Sequence, residues 1–77
     1  MSEESKAVNA FFREALKPDI DNLVELLMLS DRQTEIFYKF YIRKLDRNFI
    51  ADELSISPEL VAKELKAVRK KIIKALF

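Results

Sequence analysis

Cations are the side chains of this chain best placed to do chemistry. Residues 32–77 hold eleven Lys and Arg against six carboxylates, a local charge of +5, whereas residues 1–31 hold three cations (Lys6, Arg13, Lys17) against seven carboxylates, −4. Such a division within one short chain points to an anion-binding half. In that half, Lys63, Lys66 and the run Arg69-Lys70-Lys71 could neutralise phosphates, although the run also suits a solvated helix end, where cations favour the helix dipole. Other chemistries lose their usual reagents. The absence of cysteine removes disulfides, thiolate nucleophiles and cysteine–zinc sites, and the absence of histidine removes the commonest general base and metal ligand. Without glycine there is no Walker or Rossmann phosphate loop. The carboxylates Asp52, Glu53 and Glu64 are spread over segments of mixed polarity and read as solvated surface groups. We therefore expect no catalysis, no cofactor and no metal.

These cations need helices to position them. The chain of 77 residues fits one small domain, burying only about 60% of its unfolded surface. Its wealth of Ala, Leu, Glu and Lys and its lack of glycine favour helices over tight hairpins. The expected fold is all-α, a compact bundle of about five helices, with an N-terminal helical pair over 1–29 and a helix-turn-helix half over 30–77. Val8, Phe11, Phe12, Ala15 and Leu16 form one apolar stripe over about residues 4–16, where Pro18 ends the helix and pushes Lys17 towards an extended conformation. Ile20, Leu23, Val24, Leu27 and Met28 repeat the spacing over about 19–29, with Asp19 and Asp21 in the first turn and Leu26 and Leu29 on another side. That second helix is nearly apolar all round, so it belongs in the core or against a partner. Ser30 and Gln33 form a capping box for a third helix whose inner face is Ile36, Phe37, Phe40, Tyr41 and Leu45. These aromatics read as core, with base stacking by Phe40 or Tyr41 as the minor alternative. Asp46 caps a short helix over about 47–54, with Phe49, Ile50 and Leu54 facing inward. Ser57 caps, and Pro58 opens, a long helix whose seam is Val61, Leu65, Val68, Ile72 and Leu76.

A short helix, a tight turn and a longer helix make a helix-turn-helix candidate. Ala51 supplies the small residue for a close crossing and Ile56 plugs the angle. Ser57-Pro58 gives the second helix a clean start, and Val61 and Leu65 anchor it. The stretches Leu29-Ser30-Asp31-Arg32-Gln33, Phe49 to Ser57, Val61-Ala62-Lys63-Glu64-Leu65 and Arg69-Lys70-Lys71 resemble the fourth conserved region of bacterial sigma factors, closest to the extracytoplasmic-function type. The DNA-binding domain of quorum-response regulators is similar too. The resemblance covers about residues 29–76.

The resemblance implies a DNA-binding transcriptional regulator whose reading helix starts at Pro58 and enters the major groove. Ser57, Glu59, Ala62, Lys63 and Lys66 would face base edges or nearby phosphates. Arg47 and Asn48 would touch the DNA backbone, and Arg69, Lys70 and Lys74 would add phosphate contacts. It departs from the family in Ser55, which stands where glycine is usual, and in Glu59 and Ala62, which stand where arginine or polar readers are frequent. Nothing resembles the second sigma region, so a complete sigma factor is not expected. The expected partner is double-stranded DNA bound by a homodimer, with the second helix or the C-terminal seam as dimer surface. The competing expectation is a protein-interaction module that docks on RNA polymerase or an anti-sigma partner without binding DNA. The polar, acidic start at residues 1–5 is unlike a signal peptide, and no apolar run is long enough to span a bilayer, so a cytoplasmic location without membrane contact is expected.

Overall fold

Polar side chains decide where the helices begin. In the computed structural model, which describes residues 3–77, the helices are α1 (Glu3–Glu14), α2 (Lys17–Leu27), α3 (Asp31–Phe37), α4 (Arg47–Leu54) and α5 (Pro58–Leu76). Residues 1–2 of the polar N-terminal segment lie outside the described residues. At the start of α3 the Gln33 amide donates to Ser30 Oγ (3.2 Å) and the Ser30 amide donates to Gln33 Oε1 (3.3 Å), the reciprocal capping box. Asp46 Oδ1 accepts from the Phe49 amide at 2.9 Å, and Ser57 Oγ from the Leu60 amide at 3.1 Å, so α4 and α5 start where their sequence caps lie. Pro58 follows Ser57 in the first turn, where its missing N–H costs nothing.

The second helix starts two residues earlier than its charge pattern suggests. Leu16 is the extended residue (φ −90°, ψ 165°), and Lys17 is already helical. Pro18 therefore sits inside the first turn of α2, and its steric effect on Lys17 does not keep that residue out of the helix. Asp19 Oδ2 accepts from the Leu16 amide at 3.0 Å, which fixes this entry. Leu16 is then a cap residue, 70% exposed, and leaves the apolar stripe assigned to it. At the other end α2 stops at Leu27, because Met28 turns left-handed (φ 50°) and is 85% exposed. Leu26 is 71% exposed, so α2 buries Leu23 and Leu27 along one side and presents apolar atoms on another.

Among the described residues the fold is all-α, built around α5. Its seam Val61, Leu65, Val68 and Ile72 is buried, with Leu76 partly so, and α1, α2, α3 and α4 all pack against this helix. The seam is thus the centre of the monomer's own core and is not a dimer surface. α1 joins the same core through Val8 and Phe12; the Phe12 ring stacks on Tyr41 at 4.6 Å and meets Phe37 edge-on at 5.5 Å. Gln33 also accepts from Lys71 Nζ at 3.3 Å, tying the last turns of α5 to the start of α3.

Helix α3 does not end as an α-helix. Tyr38–Ile42 forms a π-helical turn that closes with the Arg43 amide donating to the Tyr38 carbonyl (2.9 Å) and the Leu45 amide to the Lys39 carbonyl (3.0 Å). Lys44 then takes a positive φ of 61°. The wide turn keeps Tyr41 in the core while Phe40 stays half-buried at the surface. Lys39 Nζ reaches Glu53 Oε1 at 2.9 Å, and Arg43 approaches the same oxygen at 4.0 Å, so the turn is pinned to α4.

Three residues, 55–57, separate α4 from α5. Ser55 is left-handed (φ 57°, ψ 43°). The Ile56 amide donates to the Ala51 carbonyl at 3.0 Å and the Ser55 amide to the Asp52 carbonyl at 3.3 Å, a Schellman ending. Ala51 is buried where α4 meets α5, and Ile56 packs on the core beside it. Phe49, expected inward, is half exposed: it stands in the first turn of α4, and the helix turns Ile50 and Ala51 into the core in its place. A serine at the left-handed position carries a cost of about 1–2 kcal/mol that glycine would not. Glycine also loosens the unfolded chain, which offsets about 0.4–1 kcal/mol of that gain. Ser55→Gly is accordingly expected to stabilise by about 1 kcal/mol and to raise the thermal midpoint by roughly 4–8 °C. A calorimetric melt with an unchanged or lower midpoint would contradict the assignment of strain to this turn.

Candidate nucleic-acid interface

The outer stripe of α5 is the complement of its buried seam. With Val61, Leu65, Val68 and Ile72 turned inward, the 3.6-residue period brings Glu59, Ala62, Lys63, Lys66, Arg69 and Lys70 to the other side. Glu59, Lys63, Lys66 and Lys70 are exposed there, while Ala62 and Arg69 are half-buried. The first turn of α4 lies alongside and contributes Arg47 and Asn48, both exposed.

Two grooves connect the helices. The first, about 510 Å³, is lined by Asp46, Arg47, Asn48, Pro58, Glu59 and Ala62. The second, about 530 Å³, continues along α5 and is lined by Phe40, Arg47, Ala62, Leu65, Lys66 and Arg69. Arg47 and Ala62 belong to both, so Ala62 is the shared floor rather than a reader of bases at an outer surface. Lys63 and Lys70 line neither groove and project from the outer stripe. Ser57 Oγ is committed to the Leu60 amide, so its oxygen serves the helix cap.

Charge pairing engages only a few of the cations. Lys39 and Arg43 lie against Glu53, and Lys71 donates to Gln33. Lys71 therefore points towards α3 and does not extend the patch of its neighbours Arg69 and Lys70. Among the described residues, Arg47, Lys63, Lys66, Arg69 and Lys70 make no ion pair, and neither do Lys6, Arg13, Arg32, Lys44 and Lys74, so the five are set apart by their place beside the α4–α5 crossing. Their charge is left for a ligand or for solvent. Glu59 and Asp46 sit at the opening of the first groove and weaken the positive field there.

Sequence reasoning did not anticipate that Phe40 would wall the second groove between Arg47 and Arg69. It raised the stacking alternative for Phe40 and Tyr41 alike. The structure separates them, since Tyr41 is buried against Phe12 and Phe40 is not. Among the described residues no helix is long and apolar enough to cross a membrane. Comparison of the chain with family models, with curated proteins and with solved structures finds no match.

Proposed function

We propose that the protein is a DNA-binding transcriptional regulator, that α4 and α5 act as its helix-turn-helix, and that the resemblance to the fourth sigma region reflects this role. The observation that carries the reading is the gathering of five cations, Arg47, Lys63, Lys66, Arg69 and Lys70, none of them ion-paired among the described residues, on the start of α4 and the outer stripe of α5. Duplex phosphates are the ligand such a row fits, with α5 against the major groove and Arg47 on the backbone. Glu59 and Ala62 offer few donors to base edges, so binding is dominated by phosphates and carries modest sequence preference. A homodimer would gain affinity by engaging paired half-sites. With the α5 seam internal, the exposed apolar residues of α2 are the surface left for that contact. The protein would act where DNA is, in the cytoplasm, and without catalysis.

The test is fluorescence anisotropy of labelled duplex DNA across a salt series. Wild-type affinity should fall steeply with salt, and Lys63→Ala/Lys66→Ala should flatten the log–log slope by about 1.8, two phosphates at about 0.9 each. No binding at low salt would remove the DNA reading. The second reading, docking on RNA polymerase or an anti-sigma partner, is favoured by the exposed Leu26 and Met28 beside the acidic Asp21 and Glu25 of α2. It predicts polymerase capture that survives the lysine substitutions and is lost in Leu26→Asp.

A further inference from the structure

The groove between Phe40, Arg47, Lys66 and Arg69 combines features that a duplex backbone alone does not need. Its described lining holds three cations and no carboxylate, in contrast to the neighbouring groove with Asp46 and Glu59. Its wall is an aromatic ring, and its volume of about 530 Å³ lies in the range of small-molecule sites, about 300–1,000 Å³. Phe40 also borders the two adjoining hollows against α1, one with Asn9, Lys44 and Asp46 and one with Asn9 and Arg69. The ring therefore stands where the positive track along α5 turns towards α1. A Phe in that place has a π-face for a base and cations on both flanks for a phosphate. Tyr41 cannot share the task, because its ring is stacked on Phe12 at 4.6 Å inside the core.

We propose that this groove binds an unpaired nucleotide, with Arg47, Lys66 and Arg69 taking its phosphate and the Phe40 ring taking its base. The site goes beyond the duplex reading, with which it shares Arg47, Lys66 and Arg69. Phe40 is particular to it. Arg69 is half-buried and lines the groove, so it has less side-chain freedom to lose on binding than a fully exposed lysine. The π-helical turn is what presents Phe40, since it carries Phe40 and Tyr41 round the end of α3 into different environments.

The experiment compares a short single-stranded oligothymidylate with an abasic strand of equal length and charge, by anisotropy at low salt, in deoxy and ribo forms. Wild type should prefer the strand with bases by roughly tenfold, the size of one stacked base. Phe40→Leu keeps an apolar wall, and with an unchanged thermal melt it should bring that preference close to one. Arg69→Ala should weaken both strands alike and lower the salt slope by about 0.7, one single-strand phosphate. A preference in either sugar series supports the site, and the series that shows it names the source. Equal affinity for based and abasic strands in both series overturns it, as does a preference that survives Phe40→Leu. If Phe40→Leu does not fold, an Arg69→Ala variant with unchanged slope overturns it instead. Salt-dependent duplex binding alongside equal strand affinities would leave the helix-turn-helix reading standing and remove only this one. Strand preference without duplex binding would do the reverse.

Discussion

Phe37→Ala is expected to leave the protein largely unfolded at physiological temperature. Phe37 is fully buried and touches rings on three sides, Phe12 at 5.5 Å, Tyr38 at 5.2 Å and Tyr41 at 5.6 Å. Truncating a buried phenylalanine costs about 3–5 kcal/mol in transfer and cavity terms. A domain of this length has roughly 4–12 kcal/mol in total at 0.05–0.15 kcal/mol per residue, so one substitution removes about a quarter of it or more, up to all of it. The loss also falls at the junction of the two halves, because Phe12 is the aromatic through which α1 reaches α3 and the π-helical turn. Circular dichroism should show a thermal midpoint lowered by more than about 12 °C, taking 3 kcal/mol at about 4 °C each. Leu26→Ala, at an exposed leucine, should change stability by no more than about 0.5 kcal/mol. A midpoint for Phe37→Ala within a few degrees of wild type would mean that the aromatic cluster is not the core.

The sequence marks helix starts more faithfully than helix ends, and the reason is chemical. Ser30, Asp46 and Ser57 each act through their own oxygen on an amide three residues ahead, so residue type and spacing identify them. Helix ends in this chain have no glycine to announce them. Met28, Lys44 and Ser55 take the left-handed positions instead, and of these only Ser55 stood where a turn was expected. Apolar periodicity then runs past the true ends and assigns the exposed Leu16 and Met28 to buried stripes, while the acidic Asp19 and Asp21 put the start of α2 two residues late. The π-helical turn is hidden for a related reason. Phe37, Phe40 and Tyr41 fit an α-helical stripe, and the shift in register comes from closing Arg43 onto Tyr38 rather than from any local signal. The outer stripe of α5 was legible because it is the complement of a regular seam. The meeting of Arg47 with Lys66 and Arg69 around Phe40 was not, since it depends on how α4 and the π-helical turn lie against α5.

That dependence gives the interface its most sensitive position, Ala51. Its side chain is buried between α4 and α5, and its carbonyl accepts the Ile56 amide that closes the turn. At 1% exposure, Ala51 has neighbours on every side, and a larger side chain must push them aside. Ala51→Leu should destabilise by about 1–3 kcal/mol through overpacking, with a thermal midpoint lower by at least about 4 °C. The helices most easily yield by separating, and Arg47 on α4 then leaves its register with Lys66 and Arg69 on α5. On the proposed function, the folded variant should bind duplex DNA more weakly, with a salt slope reduced by about 0.9, one phosphate, although no cation has been removed. Arg47→Ala should give the same slope, and the double variant no further change, because both substitutions remove one contact by different routes. Full additivity of the two would show that α4–α5 spacing and Arg47 act separately. An Ala51→Leu protein that folds and keeps the wild-type slope would show that the distance between the helices does not set the interface, and the helix-turn-helix reading would lose its geometric basis.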